Sequence, residues 1–276
     1  MRVVNLVENM PGMPGCVPAH GLSFYIEANG RRLLMDAGPG AMLTANAAAL
    51  DVDLSGVDAV VLSHGHYDHA DGLAAFCEVN ATAPVYLRRT AGGGFYGDDG
   101  PGGLRYIGVD PAVLRLPRLV WVDGCLELGR GMVVFGDIQG RRYWPEANLR
   151  LRRRTECGVI QDGFDHEQCL AVEADGLRTL FSGCAHSGIL NILDRYAGLF
   201  GGMPDVVFSG FHMKKKSDYT EEEEDTIRRT AEALAELQTL FYTCHCTGLP
   251  AFDLMKPIMG EKLRYIHCGE SLRLGR

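Results

Sequence analysis

The segment His64-Gly65-His66-Tyr67-Asp68-His69 constrains this chain more than any other. Three histidines and an aspartate fall directly after the wholly apolar run Ala59-Val60-Val61-Leu62, which has buried-strand character. A loop leaving such a strand can turn several side chains toward one point. Imidazole nitrogens and carboxylate oxygens bind first-row metals at ~2.0–2.2 Å, and a His/Asp mixture suits zinc, iron or manganese. The i, i+2 offset lets His64 and His66 grip one ion, while Asp68 and His69 face a second position. The pattern reads as a two-metal centre with ions ~3.5–4 Å apart. A solvated His-rich loop is the alternative.

The chain has 276 residues, 46% hydrophobic and 22% charged, values of a folded globular protein. With no repeat, low-complexity stretch or linker in the sequence, a single domain over 1–276 is expected. The net charge of -8 argues against nucleic acid as a partner. No apolar run approaches the ~18 residues of a membrane span, and Met1 to Asn5 opens no signal peptide, so no membrane partner is expected. Nine cysteines, odd in number and without a CxxC pair, suit a reducing cytoplasm.

Short apolar runs predict strands at Val3–Val7, Leu22–Ala28 and Arg32–Met35, with Asn29-Gly30 as the hairpin turn between the last two. Helix is expected from Ala41 to Leu50 and Gly72 to Cys77, and strand at Val85–Leu87, Leu119–Val122 and Met132–Phe135. Asp175-Gly176 divides another hairpin. The Gly-rich stretch from Gly92 to Gly103 lacks the ending of a phosphate-binding loop and reads as a lid or plain surface loop. Thr220 with Glu223 predicts a capping box, opening a helix through Ile227, Ala231, Leu234 and Leu237. Further strands are expected at Thr239–Thr243 and Leu263–Ile266.

His64-x-His66-x-Asp68-His69 after a strand, with Asp36-Ala37-Gly38 upstream, resembles the metallo-β-lactamase superfamily. More closely, His20-Gly21-Leu22, Gly183-Cys184-Ala185-His186, Gly210-Phe211-His212 and His245-Cys246-Thr247-Gly248 resemble a subfamily of metal-dependent hydrolases named as dihydropterin-ribofuranosylaminobenzene 5'-phosphate synthases. The resemblance implies an α+β fold, the four-layer αββα sandwich, with two divalent metal ions at one edge. Zinc is the first expectation, iron or manganese the alternatives.

Two metals need further ligands. His186, at the end of an apparent strand, is expected as the third histidine of the first metal, with His166 as the rival by spacing. His245 is expected to complete the second. Where many members carry a bridging aspartate this chain has Cys184, which either ligates or is simply buried. Asp36 is implied as a partner orienting imidazole N–H groups, or else caps a turn. His212 is a candidate proton donor and His20 a pocket residue. Cys244 and Cys246, flanking His245, are expected to point into the core. Lys214, Lys215 and Lys216, and the cluster Arg150 to Arg154, are candidate contacts for a small anionic substrate. Arg150 to Arg154 is expected to lie where the chain crosses between halves.

The expected activity is hydrolysis of a phosphoester or phosphodiester, with Asp68 ligating and orienting the nucleophile. The alternatives are the synthase-type transfer, a lactone or thioester hydrolase, and a non-catalytic metal or ligand sensor.

Overall fold

The computed structural model describes residues 1–275. Its architecture follows from side chains alternating across strands. Along Ser23–Ala28, Phe24 and Ile26 enter one apolar layer and Tyr25 the opposite one; along Ala59–Val61, Val60 parts from its neighbours in the same way. Each such strand is buried on both faces, so each sheet needs a cover on both sides.

The first sheet has seven strands in the order Ser271–Arg273, Arg2–Val7, Ser23–Ala28, Arg31–Met35, Ala59–Val61, Val85–Arg88 and Leu119–Val122. The second, also of seven, runs Leu263–Tyr265, Leu240–Thr243, Val206–Ser209, Leu177–Ser182, Cys169–Ala174, Met132–Phe135 and Leu126–Gly129. The layer between them joins Phe24, Met35 and Val61 to Leu170, Phe181 and Phe208. Helices Met42–Ala49 and Leu73–Val79 cover the outer face of the first sheet. Ile189–Phe200, Glu221–Ala235 and Leu249–Met259 cover that of the second. The result is the four-layer αββα sandwich.

Three strands of the second sheet end level with one another. Leu177–Ser182, Val206–Ser209 and Leu240–Thr243 are parallel neighbours. At matched positions Phe181 stacks on Phe208 at 5.0 Å, and Phe208 on Tyr242 at 4.9 Å. This ladder pins the register, so the three strands end side by side. The Thr220 capping box is present in both directions: the Thr220 hydroxyl accepts from the Glu223 N–H at 3.2 Å, and the Glu223 carboxylate accepts from the Thr220 N–H at 2.7 Å.

One stretch differs in kind from its sequence reading. Gly92 to Gly103 is no plain loop: Gly94–Asp98 is a strand that turns tightly into the strand Leu104–Tyr106. Leu151–Thr155 pairs with Gly94–Asp98 on its other side, and Gly158–Gln161 completes a four-stranded antiparallel sheet. Arg150 to Arg154 therefore belong to this small sheet and the turn before it, not to a crossing segment. The pairing joins residues more than fifty positions apart, which local composition does not encode.

Candidate metal centre

Five strands end at one edge of the sandwich, and a functional side chain follows each. Asp36 follows Arg31–Met35, His64 follows Ala59–Val61, Cys184 and His186 follow Leu177–Ser182, His212 follows Val206–Ser209, and His245 follows Leu240–Thr243. Sharp exits are needed there. Asp36, Ala185, His212 and His245 all take left-handed backbone, with φ of 63°, 54°, 50° and 50°, a region sparsely used by residues other than glycine. Gly183 leaves room for close approach: a Cβ there would run into the Ser63 hydroxyl. The short helix Tyr67–Ala70 starts after His66 and carries Asp68 and His69 in one turn.

The structure brings His64, His66, Asp68, His69, Cys184, His186 and His245 together, all buried. The donor atoms of His64, His66 and His186 lie within 4.8 Å of one another, as do those of His64, His69 and Cys184, and those of His20, Asp68 and His245. The Asp68 carboxylate is 3.8 Å from His69 Nε2 and 3.5 Å from both His245 Nε2 and His20 Nε2. The Cys184 Sγ is 3.1 Å from His69 Nε2.

The hydrogen bonds behind the rings decide which nitrogens face inward as bases. Asp36 accepts from the Ser63 N–H at 2.6 Å, the Ser63 hydroxyl at 2.7 Å and His69 Nδ1 at 2.6 Å. With its hydrogen given to Asp36, the Ser63 hydroxyl accepts from His64 Nδ1, 2.7 Å away. His186 Nδ1 donates to Asn148 Oδ1 and His245 Nδ1 to Asn9 Oδ1, each at 2.9 Å. Four imidazoles thus direct the Nδ1 hydrogen outward to a partner and turn Nε2 inward, the nitrogen left to bind a proton or a metal ion. Those nitrogens face each other, His64 against His186 at 3.3 Å and His69 against His245 at 3.2 Å. Two such nitrogens at that distance need a proton or a metal ion between them, and His66 Nε2 is also buried without a hydrogen-bond partner. The donor set fits divalent metal ions.

The electrostatics agree with this. Burial, with crowding by other imidazoles, holds His64 and His186 well below the usual histidine range and His66 at about 3. Burial opposes charge on Asp68, yet His69, His245 and His20 hold its carboxyl below the ordinary carboxylate range. Burial likewise opposes charge on His69, but Asp36 and Asp68 outweigh it and raise the ring to about 9. The acidic groups thus favour positive charge at His69, whether a proton or a metal ion on Nε2, while burial keeps charge off His64, His66 and His186.

Other expectations fall differently. His166 has both ring nitrogens occupied, by the Gly65 N–H at 3.0 Å and by Asp162 at 3.0 Å, and sits behind His64 and His66. His212 is half-buried with its ring 4.0 Å from that of His186 and its Nδ1 without a partner. His20 is exposed beside Asp68. Lys215 is bound to Glu223 at 2.5 Å, whereas Lys216 lines an open cavity. Cys244 is in the core, but Cys246 is not turned away as alternation predicts: the left-handed turn at His245 breaks the period, and Cys246 joins Cys184 and His245 within 4.8 Å. Burial and the neighbouring Cys246 push the Cys184 thiol up. Burial opposes charge on Cys246 too, but hydrogen bonds from Cys184 and His212 draw it down.

Sequence reasoning missed Ser63, Glu8, Asn9, Asn148 and Glu167. Glu167 accepts the backbone N–H groups of His186 and Ser187 at 2.7 and 2.8 Å, and Glu8 accepts that of His245 at 3.1 Å. Of these only Ser63, adjoining the histidine motif, carried a sequence signal.

Comparison with known proteins gives the same picture. Residues 17–141 match the model of the metallo-beta-lactamase superfamily. The chain is 28% identical over 266 residues to an uncharacterized protein of Methanocaldococcus jannaschii, covering 91% of this chain and 92% of that one. It is 24% identical over 269 residues to the 7,8-dihydropterin-6-methyl-4-(beta-D-ribofuranosyl)-aminobenzene-5'-phosphate synthase of the same organism, covering 92% and 90%. Among solved structures, Tm1679, a metal-dependent hydrolase of the beta-lactamase superfamily, superposes with a TM-score of 0.84 at 29% identity over the whole of both chains. Zn(2+)-bound PqqB from Methylobacterium extorquens shares the fold, with a TM-score of 0.63 at 15% identity over 99% of this chain and all of that one. The sandwich and the histidine motif agree with the match of residues 17–141 to the metallo-beta-lactamase superfamily.

Proposed function

We propose that the protein is a dinuclear metal-dependent hydrolase of a small anionic ester, a phosphoester or phosphodiester. The observation that carries this reading is the set of inward-facing Nε2 nitrogens, each ring oriented by a partner on its Nδ1. His64, His66 and His186 would hold one ion; Asp68, His69 and His245, with Cys184 beside them, the other. Ions held there would supply Lewis acidity toward a scissile phosphoryl group and make hydroxide available at neutral pH. Asp68, ionised by its histidine neighbours, accepts a hydrogen bond from the attacking water and orients it. His212 lies beside His186 with a free Nδ1, suited to hold a proton for the leaving oxygen. The free cysteines support a reducing compartment, the cytoplasm.

The test is the metal content of the purified chain, followed by hydrolysis of bis(p-nitrophenyl) phosphate. About two equivalents of zinc, iron or manganese are expected, as is activity that His64→Ala and Asp68→Ala abolish without loss of fold. Absence of metal even after reconstitution overturns the reading. A second reading, transfer instead of hydrolysis, is favoured by the relative named as a synthase. Condensation of a dihydropterin with a ribofuranosyl-aminobenzene phosphate, assayed directly, separates the two.

A further inference from the structure

A cavity of about 840 Å³ is lined by His20, Tyr67, Asp99, Arg105, Arg150 and Lys216 among others. Its wall residue His20 lies 3.5 Å from Asp68 of the histidine cluster, so the cavity adjoins the site. Its cations come from three separate segments: Arg105 from the strand Leu104–Tyr106, Arg150 from the turn before Leu151–Thr155, and Lys216 from the loop after His212. Two of them converge on one carboxylate. Asp99 is 3.0 Å from Arg105 Nε and 3.7 Å from an Arg150 nitrogen, while Lys216 has no ion-pair partner among the described residues.

Asp99 sits on a weakly anchored turn. Gly100 and Gly103 have left-handed φ of 65° and 78°, and a Cβ at either would meet nothing. The turn is closed by its own backbone, with Asp99 N–H to Gly103 O at 3.0 Å and Gly103 N–H to Gly100 O at 2.9 Å. A half-exposed ion pair of this kind contributes little to stability, so exchanging its carboxylate for a stronger anion costs little. A phosphate monoester presents three oxygens and nearly two charges, against one charge for a carboxylate. It can take bidentate contacts from both arginines and also reach the unpaired Lys216.

We propose that Arg105, Arg150 and Lys216 form a receptor for a terminal phosphate monoester on the non-reacting end of the substrate, with Asp99 holding the arginine pair until that phosphate displaces it. The inference rests on the hydrolase reading for the word substrate, but not for the binding itself.

The probe is methyl phosphate, titrated by calorimetry into the purified, metal-loaded full chain. Any contact with the metal centre is common to all variants, so differences between them report on the receptor. Arg105→Gln with Arg150→Gln is expected to weaken binding at least tenfold, and Lys216→Ala about threefold. Asp99→Asn, which removes the internal competitor, is expected to tighten binding severalfold, a gain that misfolding cannot imitate. Acetate is expected to bind at least tenfold more weakly than methyl phosphate. Binding indifferent to the arginine pair, weakening by Asp99→Asn, or acetate binding as tightly as methyl phosphate overturns the proposal. If the receptor binds as described while bis(p-nitrophenyl) phosphate is not hydrolysed, the hydrolase reading fails and the receptor stands. If hydrolysis proceeds and the titrations are flat, the reverse holds.

Discussion

His186 and His245 sit on opposite sides of the cluster and are held by the same device. In each, an asparagine side chain takes the ring Nδ1 hydrogen and donates back to the carbonyl of the same histidine: Asn148 at 2.9 and 2.7 Å, Asn9 at 2.9 and 3.1 Å. In each, a buried glutamate accepts the histidine's backbone N–H, Glu167 for His186 and Glu8 for His245. A histidine just past a strand end has no ladder or helix to fix it, so side chains must supply the missing partners. The two clasps differ in enclosure. Asn148 is wholly buried and the His186 ring stacks on Phe164 at 4.5 Å, whereas Asn9 is half-buried and the His245 ring faces exposed His20 at 5.3 Å. Water can replace what Asn9 provides more readily than what Asn148 provides.

Asp36 lies upstream of both sides, and its removal is the most damaging change. Asp36→Ala strands the Ser63 N–H, the Ser63 hydroxyl and His69 Nδ1, all buried. At about 1–3 kcal/mol for each unsatisfied group, stability should fall by roughly 3 kcal/mol or more in urea unfolding, and the protein should purify without metal. A full metal complement in this variant would remove Asp36 from its place as the shared support of the two sides.

The clasps predict an asymmetry of smaller size. Asn148→Ala should weaken one of two metal equivalents by about 10–100-fold, the usual effect of losing such an orienting partner, and leave the other in place. Asn9→Ala should act on the other equivalent and fall near the lower end of that range. Stepwise chelator competition on each variant measures both. As the clasps share no partner, the double variant should show additive losses; strong non-additivity would mean that the two sides act as one unit.

The contrast also explains what the sequence could reveal. His64, His66, Asp68 and His69 were legible because one short loop carries them, and the Asn29-Gly30 hairpin and the Thr220 cap because their chemistry is local. The sandwich was implied by the family resemblance and not by the pattern of any one strand. Asn9, Asn148, Glu8 and Glu167 were not legible, because each acts on a histidine far along the chain, 236 residues away for Asn9 and 38 for Asn148. A lone asparagine in a loop has no pattern to read. Cys246 was misread for a related reason: alternation assumes extended backbone, and the left-handed turn at His245 violates it. The glycine-rich stretch was taken for a loop because its strand partners lie at Leu151–Thr155, a pairing visible only once the chain has folded.

The smallest expected effect tests how far support for the site extends. Thr220 caps the helix Glu221–Ala235, whose Ile227, Ala231 and Leu234 enter the outer core of the second sheet. Thr220→Ala should cost about 1 kcal/mol, the typical loss for an N-cap, in a denaturant titration. The cap is not isolated from the site: Glu223 accepts from Lys215 at 2.5 Å as well as from the Thr220 N–H, and Lys215 lies three residues after His212. Thr220→Ala leaves the Glu223 carboxylate and its bond to Lys215 in place, so chelator competition should return wild-type metal affinities. A measurable drop at the His186 equivalent would show that the helix cap tensions the His212 loop, and the boundary of the site would then move out to the helical layer.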